Sequence, residues 1–102
     1  MPNATAAKIR DATRNDVAAI HALVGELADY EKLRHQFVGA AADLESHLFD
    51  EPRCAYALVA ESSSAVVGFA LYFYNYSTFL CRPGLYLEDV YVQPAMRGQG
   101  IG

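Results

Sequence analysis

The stretch LYLEDVYVQPAMRGQGIG, residues 85–102, decides how the rest of the chain is interpreted. Its first eight residues are rich in strand formers, and Pro94 ends the strand because proline cannot donate to a ladder. Three glycines then alternate with other residues, at Gly98, Gly100 and Gly102. Glycine leaves the backbone uncovered, so this spacing favours a loop whose amide groups approach a bound group closely.

Two common phosphate-binding loops do not fit this stretch. A P-loop needs a lysine after its last glycine, and none follows here. A dinucleotide-binding GxGxxG loop follows the first strand of a βαβ unit, whereas these glycines follow a run of strands. The pattern that fits is Arg97-x-x-Gly100-x-Gly102 at the end of a strand. A frayed glycine-rich tail would explain neither the arginine nor the strand before it.

Upstream of the loop, the pattern of apolar residues predicts one short strand and two helices. Residues 8–12 indicate a first strand with Ile9 pointing into the core. Apolar residues at helical spacing predict an amphipathic helix over about 16–31, preceded by Thr13 and Asp16 in the pattern of a capping box. A weaker helix is predicted over about 40–49.

Three strands are then predicted in a row, over 54–61, 65–76 and 85–92. The three serines between the first two indicate a tight hairpin, and a loop containing Pro83 and Gly84 is expected before the third. The order of strand, helix, helix and three strands predicts an α+β fold with a mostly antiparallel sheet. The strand over 65–76 is apolar on both sides, so both of its faces are expected to be covered.

Composition limits the class of protein. The chain has 102 residues, 53% of them hydrophobic and 20% charged, with a net charge of −4, which suits one small packed domain. An acidic chain is a poor candidate for binding nucleic acid, and its longest apolar runs are too short to span a membrane. We therefore expect a cytoplasmic protein. Cys54 and Cys81 are expected to be reduced, one packed and one partly exposed, and no metal is expected because the histidines lack ligand spacing.

The glycine loop resembles that of a known family. VQPAMRGQGIG is similar to the pyrophosphate loop of the GCN5-related N-acetyltransferases, [QR]-x-x-G-x-[GA], and IRDAT, ELADYEKL, VVGFALYFYNYSTF and LYLEDVYV resemble its diamine and polyamine (thialysine) branch. The resemblance implies that residues 1–102 are the N-terminal part of a single acetyltransferase domain, with the C-terminal half of the fold absent. It also implies acetyl-CoA as cosubstrate, a small primary amine as acceptor, and a homodimer.

The resemblance assigns roles to particular residues. The backbone of Val90, Tyr91 and Val92 would pair with the pantetheine arm and donate to the thioester oxygen. Arg97 would set the loop and add positive charge. Glu88 would lie beside the substrate amine as the catalytic residue, and Tyr30 and Glu31 would line the amine pocket. The amides expected on the pyrophosphate belong to Gly98, Gln99, Gly100, Ile101 and Gly102.

Reasoning from the residues supports part of this assignment. Backbone N–H groups at the start of a helix attract an anion, which suits a diphosphate. Glu88 and Asp89 are expected on opposite faces of their strand, so only one can face a given cleft, and Asp89 is expected to hydrogen-bond a neighbouring loop. Glu26 and Asp29 are interpreted as an ordinary polar face near the end of the first helix.

Two alternatives remain open at this point. The chain is expected not to act alone, because the family's general acid, a tyrosine late in the fold, has no counterpart in it. The first alternative is therefore an inactive fragment that dimerises through its unpaired last strand. The second is a nucleotide-binding protein that uses the same loop.

Overall fold

The structure, a computed structural model, describes residues 7–102 as two helices packed on one side of a four-stranded sheet. The elements follow the predicted order and lie within about two residues of the predicted bounds, except at the start of the last strand. They are β1 (Lys8–Asp11), α1 (Val17–Tyr30), α2 (Ala41–Phe49), β2 (Tyr56–Ser62), β3 (Ala65–Ser77) and β4 (Arg82–Val92).

The sheet has the strand order β1-β2-β3-β4, and every neighbouring pair is antiparallel. The α+β prediction is therefore confirmed. The predicted hairpin between β2 and β3 is also confirmed: Ser63 and Ser64 have φ of 51° and 68°, the left-handed conformation that a two-residue hairpin turn requires. β4 pairs only with β3, so its outer backbone edge has no partner strand among the described residues.

The core lies between the helices and one face of the sheet. Its buried side chains come from both helices and from three strands: Ile20, Leu23, Leu48, Ala57, Val59, Phe69 and Tyr91. The helical residues are those that the spacing predicted on the apolar faces. Since they hold α1 against β3 and β4, the core also places the end of α1 next to the end of β4.

The start of α1 is held by a carboxylate. The Thr13 N–H donates to Oδ2 of Asp16 at 2.7 Å, which is the predicted capping interaction, although a short 3₁₀ turn (Arg14–Asp16) intervenes before the helix. Arg10 donates to both oxygens of the nearly buried Asp16, at 2.8 and 3.0 Å. This arginine holds the pKa of Asp16 below its usual value. β1 and α1 are thus joined by a bidentate ion pair.

The prediction that Ile9 points into the core is wrong. Arg10 is paired with the core residue Val59, so Arg10 shares the helix-covered face and Ile9 lies on the other one. The Ile9 side chain is 52% exposed. The prediction that both faces of β3 are covered is also wrong for residues 7–102. Tyr74 and Tyr76, near the C-terminal end of the strand, are exposed.

Two further expectations need correction. Pro83 and Gly84 lie inside β4, paired with Tyr76 and Asn75, and the connection is residues 78–81. Proline is tolerated there because β4 is an edge strand, where its nitrogen can face away from the ladder.

Cys54 is not packed; both cysteines are free and exposed. The reason is that β2 begins only at Tyr56, so Cys54 precedes the protected part of the sheet.

Candidate active site

The glycine loop leaves β4 through a 3₁₀ turn, Pro94–Met96, and then exposes its backbone. Gly98 and Gly100 have φ of 83° and 77°, a conformation that side chains rarely adopt. A Cβ added at either position would meet no atom within 4 Å. The glycines are therefore required by the backbone conformation and not by close packing, and the space in front of them is open to a bound group.

Arg97 fixes the loop to the end of β4. Its Nε donates to the carbonyl of Val92 at 2.8 Å. Its guanidinium lies 5.1 Å from the ring centroid of Tyr30 and 5.3 Å from that of Tyr91. One cation thus contacts the last residue of α1 and a core residue of β4, in the cation–π arrangement.

A cavity of about 340 Å³ lies between this loop and the end of α1. Every residue that the sequence assigned to the coenzyme lines it except Gln99. Tyr30, which was assigned to the amine pocket, also lines this cavity, and so do Leu27 and Met96, which were not predicted. We call it the loop cavity. Three of its lining residues are glycines, which present only backbone, and Arg97 is its cation.

A second, smaller cavity of about 180 Å³ lies on the other side of the end of α1. Its carboxylates are Glu31 and Asp89, and the rest of its wall includes Leu27, which also lines the loop cavity. We call it the acidic cavity. Tyr30 and Glu31 are consecutive residues, yet the first lines one cavity and the second lines the other.

Asp89 faces the acidic cavity, and no cation among residues 7–102 compensates its charge. Burial, and then the neighbouring carboxylates of Glu88 and Glu31, raise the pKa of Asp89 above its ordinary value. The described residues offer its carboxylate no hydrogen bond, so the expected contact with a neighbouring loop is not present in residues 7–102. A half-buried carboxylate with a perturbed pKa in a cleft is characteristic of functional sites.

Glu88 occupies a different environment because β4 contains a bulge. Leu71 pairs with Asp89 and Tyr72 pairs with Leu87, so Glu88 has no partner on β3. Its side chain is exposed and lines neither cavity. The bulge lies directly before the residue that enters the acidic cavity. The bulge was not predicted, because LYLEDVYV was interpreted as one regular strand with Glu88 and Asp89 on opposite faces.

Glu26 is a third carboxylate near the end of α1, and it is not a solvated surface group. Oε1 accepts a hydrogen bond from the Tyr91 hydroxyl at 3.1 Å, and Oε2 accepts one from Nε2 of Gln93 at 3.0 Å. Burial and this carboxylate raise the pKa of Tyr91, so the phenol remains a donor. Asp29, by contrast, is exposed and pairs only with Arg34.

The remaining polar candidates have structural contacts. His21 hydrogen-bonds the Gly39 carbonyl at 2.9 Å and lies against Phe37. His35 and His47 are exposed. Within residues 7–102 no group of three or more His, Cys, Asp or Glu side chains could hold a metal ion. No helix in the same part of the chain is long and apolar enough to cross a membrane.

Comparisons with known proteins show the family of the chain. Residues 21–102 match the acetyltransferase (GNAT) family. The chain is 42% identical to thialysine N-epsilon-acetyltransferase of Mus musculus over 93% of its own length and 60% of that protein. It is 44% identical to the Bos taurus protein of the same name, over 92% of this chain and 59% of that protein. The chain thus spans about three fifths of these relatives.

Solved structures show the same fold. A possible acetyltransferase from Clostridium difficile 630 superposes with a TM-score of 0.76 at 24% identity, covering 94% of this chain and 63% of the other. A ribosomal-protein-alanine N-acetyltransferase from Brucella melitensis superposes with a TM-score of 0.73 at 23% identity, covering 94% of this chain and 64% of the other. The loop pattern, the antiparallel sheet and the sequence match agree, and the chain belongs to the acetyltransferase (GNAT) family.

Proposed function

We propose that the protein transfers an acetyl group from acetyl-CoA to a primary amine of a small molecule: a diamine, a polyamine or an amino acid. The observation that carries the proposal is the arrangement of two cavities on either side of the end of α1. One is lined by three glycines and an arginine, and the other is lined by two carboxylates. An anionic carrier suits the first, and a cationic acceptor suits the second.

The loop cavity fits the diphosphate of coenzyme A. Open space in front of Gly98 and Gly100 allows an anion to approach the loop amides, and Arg97 supplies the positive charge. The outer edge of β4 at residues 90–92 borders the same cavity and can pair with an extended, amide-containing arm. When bound, acetyl-CoA supplies an activated acetyl thioester. The chain's own part is to hold the carrier and orient it along β4.

The acidic cavity suits the amine. An amine with a pKa of about 10.4 is almost fully protonated at pH 7, and removing its proton costs about 4–5 kcal/mol. Asp89 and Glu31 attract the ammonium form, and a carboxylate with a raised pKa is a better proton acceptor than an ordinary one. We propose Asp89 as the group that receives the proton, directly or through water. Glu88, assigned from the sequence, would add negative potential from the bulge.

The names of the relatives indicate the kind of amine. The Mus musculus and Bos taurus relatives are named thialysine N-epsilon-acetyltransferase. A Homo sapiens protein that is 37% identical over 93% of this chain and 14% of its own length is named spermidine/spermine N(1)-acetyltransferase-like protein 1. We therefore propose thialysine, spermidine and related amines as the first acceptors to assay. A homodimer and a cytoplasmic location belong to the same proposal.

The test has two parts, both with the protein in its full natural length. Calorimetry with coenzyme A measures binding, and release of free thiol from acetyl-CoA in the presence of each amine measures transfer. We expect binding that ADP competes for only weakly, and transfer that requires an amine. Binding without transfer to any amine would contradict the proposed transfer, whereas equal competition by ADP would favour a nucleotide-binding protein. The absence of any binding would refute the proposal.

A further inference from the structure

We infer that Glu26 is a positioning residue for the loop cavity, acting through Tyr91 and Gln93. The inference rests on the proposed function, because its effect is on the affinity for coenzyme A. Glu26 does not line the cavity itself. It acts by fixing the end of β4, from which the loop begins.

The contacts of Glu26 are unusual for a glutamate on a helix. Each carboxylate oxygen accepts one hydrogen bond, from Tyr91 at 3.1 Å and from Gln93 at 3.0 Å. The two donors lie 65 and 67 residues away in the sequence, on alternate positions of the same strand end. All three side chains are at least half-buried. One carboxylate therefore joins α1 to two successive side chains on one face of the chain as it leaves β4.

These two donors surround the point where the loop is attached. Tyr91 and Gln93 flank Val92, whose carbonyl accepts the hydrogen bond from Arg97. The Tyr91 ring that donates to Glu26 is also the ring beneath the Arg97 guanidinium. Gln93 is fixed on its other side, since its backbone N–H donates to the Val67 carbonyl at 2.9 Å. Removing Glu26 would therefore release the Tyr91 hydroxyl and the Gln93 amide together.

Charge alone would give the opposite effect. A negative carboxylate near a diphosphate site weakens anion binding, since like charges repel over several ångströms. If Glu26 acted only through its charge, every substitution that neutralises it would tighten coenzyme A. If the hydrogen bonds of Glu26 position the loop, only substitutions that break those bonds would weaken the binding of coenzyme A. The two mechanisms predict different signs for the same variant.

The experiment compares Glu26→Gln with Glu26→Leu in the protein of full natural length. Glutamine keeps an oxygen that accepts from Tyr91. Its NH₂ group can donate to the side-chain oxygen of Gln93 once the Gln93 amide has rotated by half a turn. We therefore expect an affinity for coenzyme A within about threefold of wild type. Leucine breaks both bonds, each typically worth a factor of five to ten, so we expect affinity to fall about tenfold or more. KM for the amine should be unchanged in both variants.

Asp43→Asn and Asp43→Leu are the matched controls, because Asp43 is exposed on α2 and lines neither cavity. Should Glu26→Leu fail to fold, Tyr91→Phe tests the same bond from the other side: it keeps the ring under Arg97 and removes the donor. We expect Tyr91→Phe to weaken the binding of coenzyme A about fivefold.

Suppose that the wild type binds coenzyme A and that Glu26→Leu and Tyr91→Phe bind it as tightly as the Asp43 controls do. That result would overturn this inference and leave the proposed function standing. Tighter binding by both Glu26 variants would also overturn it, in favour of a purely electrostatic role. Failure of the wild type to bind coenzyme A would instead overturn the proposed function, and this inference with it. Calorimetric affinity, amine KM and melting temperature together separate these outcomes.

Discussion

The loop cavity and the acidic cavity share a wall at the end of α1 but are built from different parts of the chain. The loop cavity is made mostly from one continuous segment, residues 90–102, which includes three glycines that present only backbone. The acidic cavity combines side chains from the end of α1, from the segment after it and from β4. The first depends on local conformation, and the second depends on how distant segments are aligned.

This difference explains why the two cavities tolerate change differently. A backbone site fails when a side chain blocks the approach or when the conformation is lost. A side-chain site fails when a charge is removed or moved by one strand position. Tyr30 and Glu31 show how narrow the boundary is, because successive residues of the chain belong to different cavities.

The largest effect is expected from Gly100→Val. A β-branched residue at φ of 77° is strained, and its side chain would block the loop amides, so we expect affinity for coenzyme A to fall about a thousandfold. Gly39→Val is the matched control, since Gly39 is exposed and a Cβ there meets nothing within 4 Å. Calorimetry measures both. An equal loss in the control would mean that the loop conformation does not define the site.

The acidic cavity is tested next by Asp89→Asn against Glu88→Gln. Loss of a positioned proton acceptor typically lowers the rate by two orders of magnitude or more, so we expect kcat to fall about a hundredfold for Asp89→Asn and less than fivefold for Glu88→Gln. Affinity for coenzyme A should change in neither variant. The reverse order of kcat losses would favour Glu88, as the sequence assigned, over the carboxylate that the bulge places in the cavity.

A paired test follows at the boundary between the cavities. Tyr30→Leu removes one ring from Arg97 and should weaken coenzyme A about threefold to fivefold, with amine KM unchanged. Glu31→Gln removes a charge from the acidic cavity and should raise amine KM about tenfold, with coenzyme A affinity unchanged. Initial-rate kinetics with both substrates varied would show the split. If either variant changed both constants equally, the cavities would not be separate sites.

The smallest effect concerns stability and pH. The folded protein raises the pKa of Asp89 above its ordinary value of 3.8. Between pH 3.8 and the raised pKa, the folded state therefore binds more protons than the unfolded state. Stability therefore falls as pH rises through that window, and Asp89→Asn should be more stable than wild type above it. Below pH 3.8 the difference should disappear. Denaturant unfolding at several pH values measures this.

Asp16 provides the opposite sign as an internal comparison. Its pKa is lowered chiefly by the Arg10 hydrogen bonds, so its stabilising contribution is present at neutral pH and is lost as pH falls below the ordinary value. The lowered pKa of Asp16 predicts that the wild type gains stability between pH 3 and neutrality. The raised pKa of Asp89 predicts that Asp89→Asn gains still more near neutrality.

Much of the fold could be predicted because it depends on local pattern. The periodicity that ends in Leu27 gave α1 to within one residue, and the serine turn gave the hairpin between β2 and β3. Ile9 was predicted wrongly because a strand of four residues carries little information about which face is covered. The partners of Arg10 on another element decide that face, and they are not visible in the strand itself.

The sequence by itself determined the order of the elements, the conformation of the glycine loop and the family to which the chain belongs. These follow from residue types and spacings within short segments. Only the tertiary structure decided that Asp89 faces the acidic cavity, that Tyr30 and Glu31 are separated, and that Glu26 holds the end of β4. The physical reason is that strand register, including the bulge at Glu88, is fixed by pairing between distant segments.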